Sequence, residues 1–278
     1  MKCRVGKWVG FCSGVQRAIR GAEKVLEKNS VIYCLGEIIH NPGVVKELER
    51  RGMVVVRDIE EIPDSSSFII RSHGLEEEIV RRARDKMLTI HDFTCPKVKN
   101  THHLVSNLRS KGYRIFIVGN PLHPEVKAIH SLAGPAAQVL VRKEAVAALD
   151  AFERIAVVVQ TTFDPRSFSS IVSELILRAE KTLVCNTLCE ETIKRQNEAD
   201  KIAGNVDFMI VVGGKNSSNT KTLYNIVKER VPALHIEDAF EIERIDLSGM
   251  KRIGIVSGAS TPVEEVKKVY EKLSCQSG

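Results

Sequence analysis

Cys12 (GFCSGV), Cys95 (DFTCPKV) and Cys189 (NTLCEETIKRQ) fall at near-even intervals along a 278-residue chain, and each opens a helix-like run. Finger-type zinc sites take their ligands in close pairs on one knuckle, so this spacing excludes them. It suits three similar lobes that each deliver one thiolate to a shared centre. Three thiolates can hold a zinc with one open position, or three irons of a cubane cluster whose fourth iron stays open to substrate. Ligand type alone does not separate the two; the wide spacing and the abundant histidines lean slightly toward the cluster. Any one cysteine has an even claim to be a packed core thiol, but three at equivalent positions argue against that. Cys34 reads as a small hydrophobe within a strand, and Cys3 and Cys275 lie near the ends. Cys185 competes with Cys189, and only Cys189 opens a helix.

A second set of residues ends predicted strands. His40, His73 and His123 close three of them, and Ser217, Ser218, Asn219 and Ser260 close two more. Imidazoles, hydroxyls and amides, with backbone N–H groups from Gly213, Gly214 and Gly258, suit phosphate oxygens. Glu125, beside His123 in HPEV, is a candidate proton donor if burial raises its pKa. With equal weight it is a helix-start acid after Pro124. His91, His102, His103, His130 and His235 lie off this pattern and read as ordinary surface or helix residues.

Elements that would position these groups follow from the hydrophobic pattern. Six apolar runs, 31–35, 68–70, 115–118, 155–159, 209–212 and 253–256, each end in a small or polar cluster. Continuous runs of this length read as strands buried on both faces, as in parallel sheets. Helical periodicity lies between them, so the class is α/β. Val15, Ile19, Ala22 and Val25 mark one helix face after Cys12. Pro96 can take the first helical position after Cys95, and Glu190 and Glu191 suit a helix start after Cys189. Two apolar strands follow each cysteine. The expected lobes are 1–95 (with an N-terminal strand), 96–188 and 189–278, a repeat of architecture rather than of letters. Ligands of open parallel sheets sit at the carboxyl ends of strands, and helix starts favour a thiolate or an anionic cluster. Three lobes facing inward would surround one cavity.

Composition sets the outer limits. With 43% hydrophobic and 27% charged residues, the chain reads as an ordinary soluble globular protein. No apolar run approaches the roughly 18–20 residues of a membrane span, and the start lacks a signal-peptide core. A cytoplasmic location with reduced thiols is expected. Net charge is +6, and its densest clusters, Arg50-Arg51 and Arg81-Arg82-Ala83-Arg84, sit in amphipathic stretches as solvated faces. No motif or aromatic platform points to nucleic acid. The balance fits an anionic small substrate or an acidic redox partner.

Eight segments stand in order nearly end to end: GFCSGV, EIIHNPGVV, RSHG, DFTCP, HPEV, QTT, GGKNSSNT and SGASTP. Together they resemble the 4-hydroxy-3-methylbut-2-enyl diphosphate reductase family, iron–sulfur enzymes that end the non-mevalonate isoprenoid pathway. The resemblance implies three α/β lobes in a pseudo-three-fold arrangement around one [4Fe–4S] cluster with three protein ligands, Cys12, Cys95 and Cys189. It implies that the substrate hydroxyl binds the unique iron, and that His40, His73, His123, Ser217, Ser218, Asn219 and Ser260 grip the diphosphate. Glu125 corresponds to the proton-delivering carboxylate and Thr161 to the hydroxyl that orients the substrate alcohol. The implied reaction is two-electron reductive dehydroxylation to isopentenyl and dimethylallyl diphosphate, with electrons arriving singly from reduced ferredoxin or flavodoxin.

Two departures stand out. The stretch after the third cysteine usually reads Cys-x-Ala-Thr-x-x-Arg-Gln, whereas here Glu191 replaces the alanine; Asn120 replaces a frequent histidine. Quinolinate synthase is the nearest enzymatic rival, with three cysteines on a cluster but carboxylate substrates. A redox sensor that binds RNA is a rival of another class.

Overall fold

The computed structural model describes residues 1–244, 247 and 249–275. In chain order the elements are β1 (Lys2–Val5), α1 (Ser13–Leu26), β2 (Ile32–Leu35), α2 (Pro42–Arg50), β3 (Met53–Val56), β4 (Ser67–Ile70), α3 (Glu77–Asp85) and β5 (Thr89–Asp92). Next come α4 (Pro96–Ser110), β6 (Arg114–Val118), α5 (Pro124–Ala133), β7 (Gln138–Leu140), β8 (Phe152–Val159), α6 (Pro165–Leu175) and β9 (Ala179–Val184). The last are α7 (Glu190–Ala203), β10 (Phe208–Val212), α8 (Ser218–Lys228), β11 (Ala233–Ile236), β12 (Arg252–Ser257) and α9 (Val263–Cys275). No helix among the described residues is long and apolar enough to cross a membrane.

Strands form three similar four-stranded sheets, in the orders β1-β12-β10-β11, β3-β2-β4-β5 and β7-β6-β8-β9, and every pairing is parallel. The chain is therefore α/β, as its alternation of patterns predicts. All six strands expected from apolar runs are present, and they are the central pairs β2/β4, β6/β8 and β10/β12. Ile115 to Val118, Ile155 to Val159 and Met209 to Val212 are almost wholly buried, because helices cover both faces of such strands.

Two compact units arise. One comprises Met1–Gln16, His40–Gly43 and the chain from Glu190 on; the other comprises Arg17–Ile39 and Val44–Cys189. The first unit holds the sheet containing β10 and β12. Its edge strand β1 comes from the N-terminus and pairs in register with β12, Lys2 opposite Arg252 and Val5 opposite Ile255. The second unit holds the other two sheets.

Chain connectivity makes the repeat explicit. In each of two sheets, both central strands run through a helix to an edge strand: β2-α2-β3 and β4-α3-β5, then β6-α5-β7 and β8-α6-β9. In the remaining sheet β10-α8-β11 repeats this, while β12 is followed by α9 and β1 takes the edge place beside β12. The edge strands β1, β5 and β9 are therefore equivalent, and each leads directly to one of the three cysteines and its helix. The expected helix faces are largely seen. Val15, Ala22 and Val25 are buried on α1 as expected, with Ala18 fully buried and Ile19 only half-buried; Val98, Val105 and Leu108 are buried on α4, with Pro96 in its first turn. The charged clusters are solvated: Arg50 pairs with Glu47 on α2, and Arg81 with Glu78 on α3.

Candidate functional site

Each cysteine is anchored in the same way. The Cys12 N–H donates to Ala259 O (2.9 Å), Cys95 N–H to Ser72 O (3.0 Å) and Cys189 N–H to Thr161 O (3.0 Å). Each acceptor lies just past the carboxyl end of a central strand, β12, β4 and β8 respectively. The tips concerned carry Ser260, His73 and Thr161. This backbone equivalence is stronger support for a repeat than any match of letters.

All three thiols are half-buried. Cys12 Sγ accepts the Val15 N–H (3.4 Å) at the start of α1. Burial pushes the Cys95 thiol up; the Lys97 and Val98 N–H groups of α4 pull it back, and the charges of Cys189 and Glu125 add to the rise. Helix-start amides aimed at sulfur are the setting that favours a thiolate ligand. Thr187 holds the Cys189 loop by accepting the Val159 N–H at the end of β8 (2.8 Å). Cys185 follows β9 and packs against the core cluster that includes Ile115 and Val158, while Cys34 is fully buried, with its thiol pushed up to about 12 by burial.

Glu125 stands in the first turn of α5, as its position after Pro124 predicts, yet it is only 1% exposed. Its Oε1 accepts the Thr161 N–H (2.7 Å) and its Oε2 the Thr161 hydroxyl (2.7 Å). Burial raises the carboxyl to about 7 against the pull of both bonds. A carboxyl so placed exchanges a proton near neutrality. His123 caps the same helix: its Nδ1 accepts the Glu125 N–H (3.2 Å), which makes Nε2 the protonated donor nitrogen. The His73 ring lies edge-on to it, with centroids 5.3 Å apart. Gln160 secures this loop by accepting the Asn120 N–H (3.0 Å). One unit thus brings together Cys95, Cys189, Glu125, Thr161, His73 and His123.

In the other unit, the Ser260 hydroxyl donates to His40 O (3.2 Å). A Cβ on Gly214 would stand 2.6 Å from that same carbonyl, so only glycine admits the His40 backbone there. Ser217 caps α8, accepting the Thr220 N–H (3.3 Å), and Ser218 and Asn219 form its first turn. Asn219 is 4% exposed, and neither its Nδ2 nor its Oδ1 has a hydrogen-bond partner among the described residues. A buried amide left unmade on both sides is costly, which suits a site completed by a polar ligand at a helix N-terminus.

Of the histidines expected to be ordinary surface or helix residues, His235 lies instead on a strand, and His102 is on a helix but deeply set. His235 lies on edge strand β11, half-buried, and its Nε2 donates to Gly213 O (2.8 Å), fixing the turn before Ser217. His102, on α4, is held near a pKa of about 4 by burial and lies over Gly74, after His73. Sequence reasoning also passed over Arg195. It is 4% exposed on α7 and donates to Trp8 O and Gly10 O (2.9 Å to the latter), bracing the approach to Cys12. Glu191 joins the starts of the first and third cysteine helices by accepting the Ser13 hydroxyl (2.5 Å).

Comparison with known proteins matches residues 4–274 to the family described as LytB protein. The chain is 40% identical to a 4-hydroxy-3-methylbut-2-enyl diphosphate reductase of Clostridioides difficile (strain 630), over 98% of this chain and all of that one. It is 38% identical to the enzyme of that name from Geobacter sp. (strain M21), over 99% and 97% of the two chains. The solved structure of E-1-hydroxy-2-methyl-but-2-enyl-4-diphosphate reductase from Plasmodium falciparum is similar with a TM-score of 0.93 and 30% identity, covering 98% of this chain and 88% of that one.

Proposed function

The chain belongs to the LytB protein family, and from that premise we propose that it is a 4-hydroxy-3-methylbut-2-enyl diphosphate reductase acting at the end of the non-mevalonate pathway. The reaction removes the allylic hydroxyl of (E)-4-hydroxy-3-methylbut-2-enyl diphosphate. Two electrons and two protons are taken up; the C–O bond breaks, water leaves, and a new C–H bond gives isopentenyl or dimethylallyl diphosphate.

Cys12, Cys95 and Cys189 are the proposed ligands of one [4Fe–4S] cluster. The donor set fits, with three half-buried thiols at helix starts, each tethered by its own N–H to a strand tip. When bound, such a cluster supplies single electrons and a Lewis-acidic iron. Reduced ferredoxin or flavodoxin is the proposed electron source, the cytoplasm the proposed location, and 1–95, 96–188 and 189–278 the proposed lobes, the first lending its N-terminal strand β1 to the sheet of the third.

The protein's own groups do the rest. Glu125 holds the proton for the allylic carbon, and Thr161 fixes that carboxyl while its hydroxyl orients the substrate alcohol. His40, His73 and His123 donate to the diphosphate together with Ser217, Ser218, Asn219 and Ser260. The α8 N-terminus adds backbone N–H groups to the grip. Positioning of this kind supplies much of the rate. The observation that carries the reading is the buried Glu125 carboxyl, raised to about 7 and lying within the electrostatic reach of Cys95.

The test is turnover by anaerobically purified protein with reduced methyl viologen as electron donor. Loss of the hydroxy-allylic diphosphate with formation of both C5 diphosphates is the expected result. A fully reconstituted protein that leaves the substrate untouched would refute the assignment.

A further inference from the structure

Within the second unit, a cavity of about 510 Å³ opens at the carboxyl ends of β2, β3 and β4. Its volume lies in the range of small-molecule sites, roughly 300–1,000 Å³. It also occupies a topological switch point. The chain leaves β2 through α2 for an edge strand on one side, and leaves β4 through α3 for the edge on the other. Open parallel sheets bind ligands where the connections part in this way. Aliphatic side chains form its floor, among them Leu35, Val56, Leu75 and Ile79, and three cations stand around them: Arg57, Arg71 and Lys127.

Those cations are unmatched. Among the described residues none of the three makes a side-chain hydrogen bond or ion pair, and the Nε of Arg71 is buried without an acceptor. Burial works against the Arg71 charge, and the carboxylates of Glu76 and Glu37 only partly offset it; the Cys34 thiol beside it is neutral. Glu37 and Glu76 also line the cavity, so its lining keeps a net positive charge. The backbone makes room for the guanidinium. Gly36 has φ +69°, and a Cβ there would lie 2.6 Å from Arg71 Nη1. A guanidinium nitrogen buried without an acceptor is costly, and the guanidinium fork matches phosphate oxygens.

We propose that this cavity is a second binding site for an amphipathic anion, with a phosphate or diphosphate head on Arg57, Arg71 and Lys127 and a short aliphatic chain on the apolar floor. Existence of the site rests on the cavity itself; the choice of an aliphatic diphosphate rests on the proposed reaction, whose products have that chemistry. An occupant would bear on catalysis through two short links. Arg71 lies two residues before His73, and Pro124, which also lines the cavity, lies between His123 and Glu125.

The experiment is calorimetric titration of the anaerobic, cluster-loaded protein with geranyl diphosphate, isopentenyl diphosphate and inorganic pyrophosphate. Saturating hydroxy-allylic diphosphate is present and reductant is absent. One further equivalent of geranyl diphosphate should bind, at least tenfold more tightly than pyrophosphate. Where isopentenyl diphosphate falls between them reports the chain length that the floor accepts. The Arg57→Ala/Lys127→Ala double variant should weaken this binding at least tenfold. Ile79→Trp, which fills the floor without touching the charges, should weaken it as well. Binding of no further equivalent, equal affinity for geranyl diphosphate and pyrophosphate, or indifference to the double variant would overturn the site. Cation-dependent binding without turnover would refute the reductase reading and leave this site standing; turnover with cation-independent binding would do the reverse.

Discussion

Removing the Thr161 hydroxyl should move the pH at which activity is lost, and the size of the move follows from one hydrogen bond. In the proposed mechanism Glu125 works in its protonated form, so activity should fall as pH rises through its pKa of about 7. The Thr161 Oγ1–H···Oε2 bond of 2.7 Å stabilises the carboxylate and holds that pKa down. Hydrogen bonds to charged groups are worth roughly 1.5–3 kcal/mol, and one pKa unit is about 1.36 kcal/mol. Loss of the bond therefore raises the pKa by about one to two units. The value lies nearer one, because the neutral acid also pairs with the hydroxyl. In Thr161→Val the alkaline limb of kcat/KM should move up by about one unit, and Thr161→Ser should return it. Difference infrared spectroscopy of the protonated carboxyl band gives the same pKa without relying on turnover. A limb that stays in place, or moves to lower pH, would refute the role of this pair.

Three other outcomes follow from the same geometry. Glu125→Gln should cost turnover far more than KM, measured under anaerobic steady-state conditions. The carboxyl also sets a stability term: its folded pKa of about 7 exceeds the ordinary 4.5, so the neutral acid's stability is complete below 4.5 and is lost as pH rises through 7. That loss, about 3 kcal/mol, should be absent in Glu125→Gln when urea midpoints are compared across pH. Arg195→Met should cost about 2–4 kcal/mol in urea unfolding, since it leaves the Trp8 and Gly10 carbonyls unpaired, and should speed iron loss to a chelator.

What could be read from the letters depended on burial. Central strands such as β8 and β10 are covered on both faces and so carry unbroken apolar runs; all six were legible. Edge strands carry no such run: on β9 only Ala179 and Thr182 are half-buried and the rest are exposed, and β1 reads Lys2-Cys3-Arg4-Val5. Propensity alone does not reveal β9; an N-terminal strand is expected, but nothing local marks β1 as the partner of β12, a pairing made across nearly the whole chain. The helix starts beside Cys12, Cys95 and Cys189 were legible, the last two in Pro96 and in the Glu190-Glu191 pair. Glu125 leaves two readings open: its helix-start position is seen, and so is the burial that the proton-donor reading requires. Arg195 and Arg71 stayed hidden, because a charged residue normally marks a solvated face and only packing shows otherwise. His235 was missed for the same reason as the strand that carries it.

The most direct test of the central claim counts iron and sulfide in anaerobically purified wild type and in Cys12→Ser, Cys95→Ser, Cys189→Ser and Cys185→Ser, with electron paramagnetic resonance of the reduced proteins. About four irons per chain in wild type and Cys185→Ser, with loss of iron and signal in each of the other three, is the predicted result. Full iron content in any one of those three, or its loss in Cys185→Ser alone, would contradict the account.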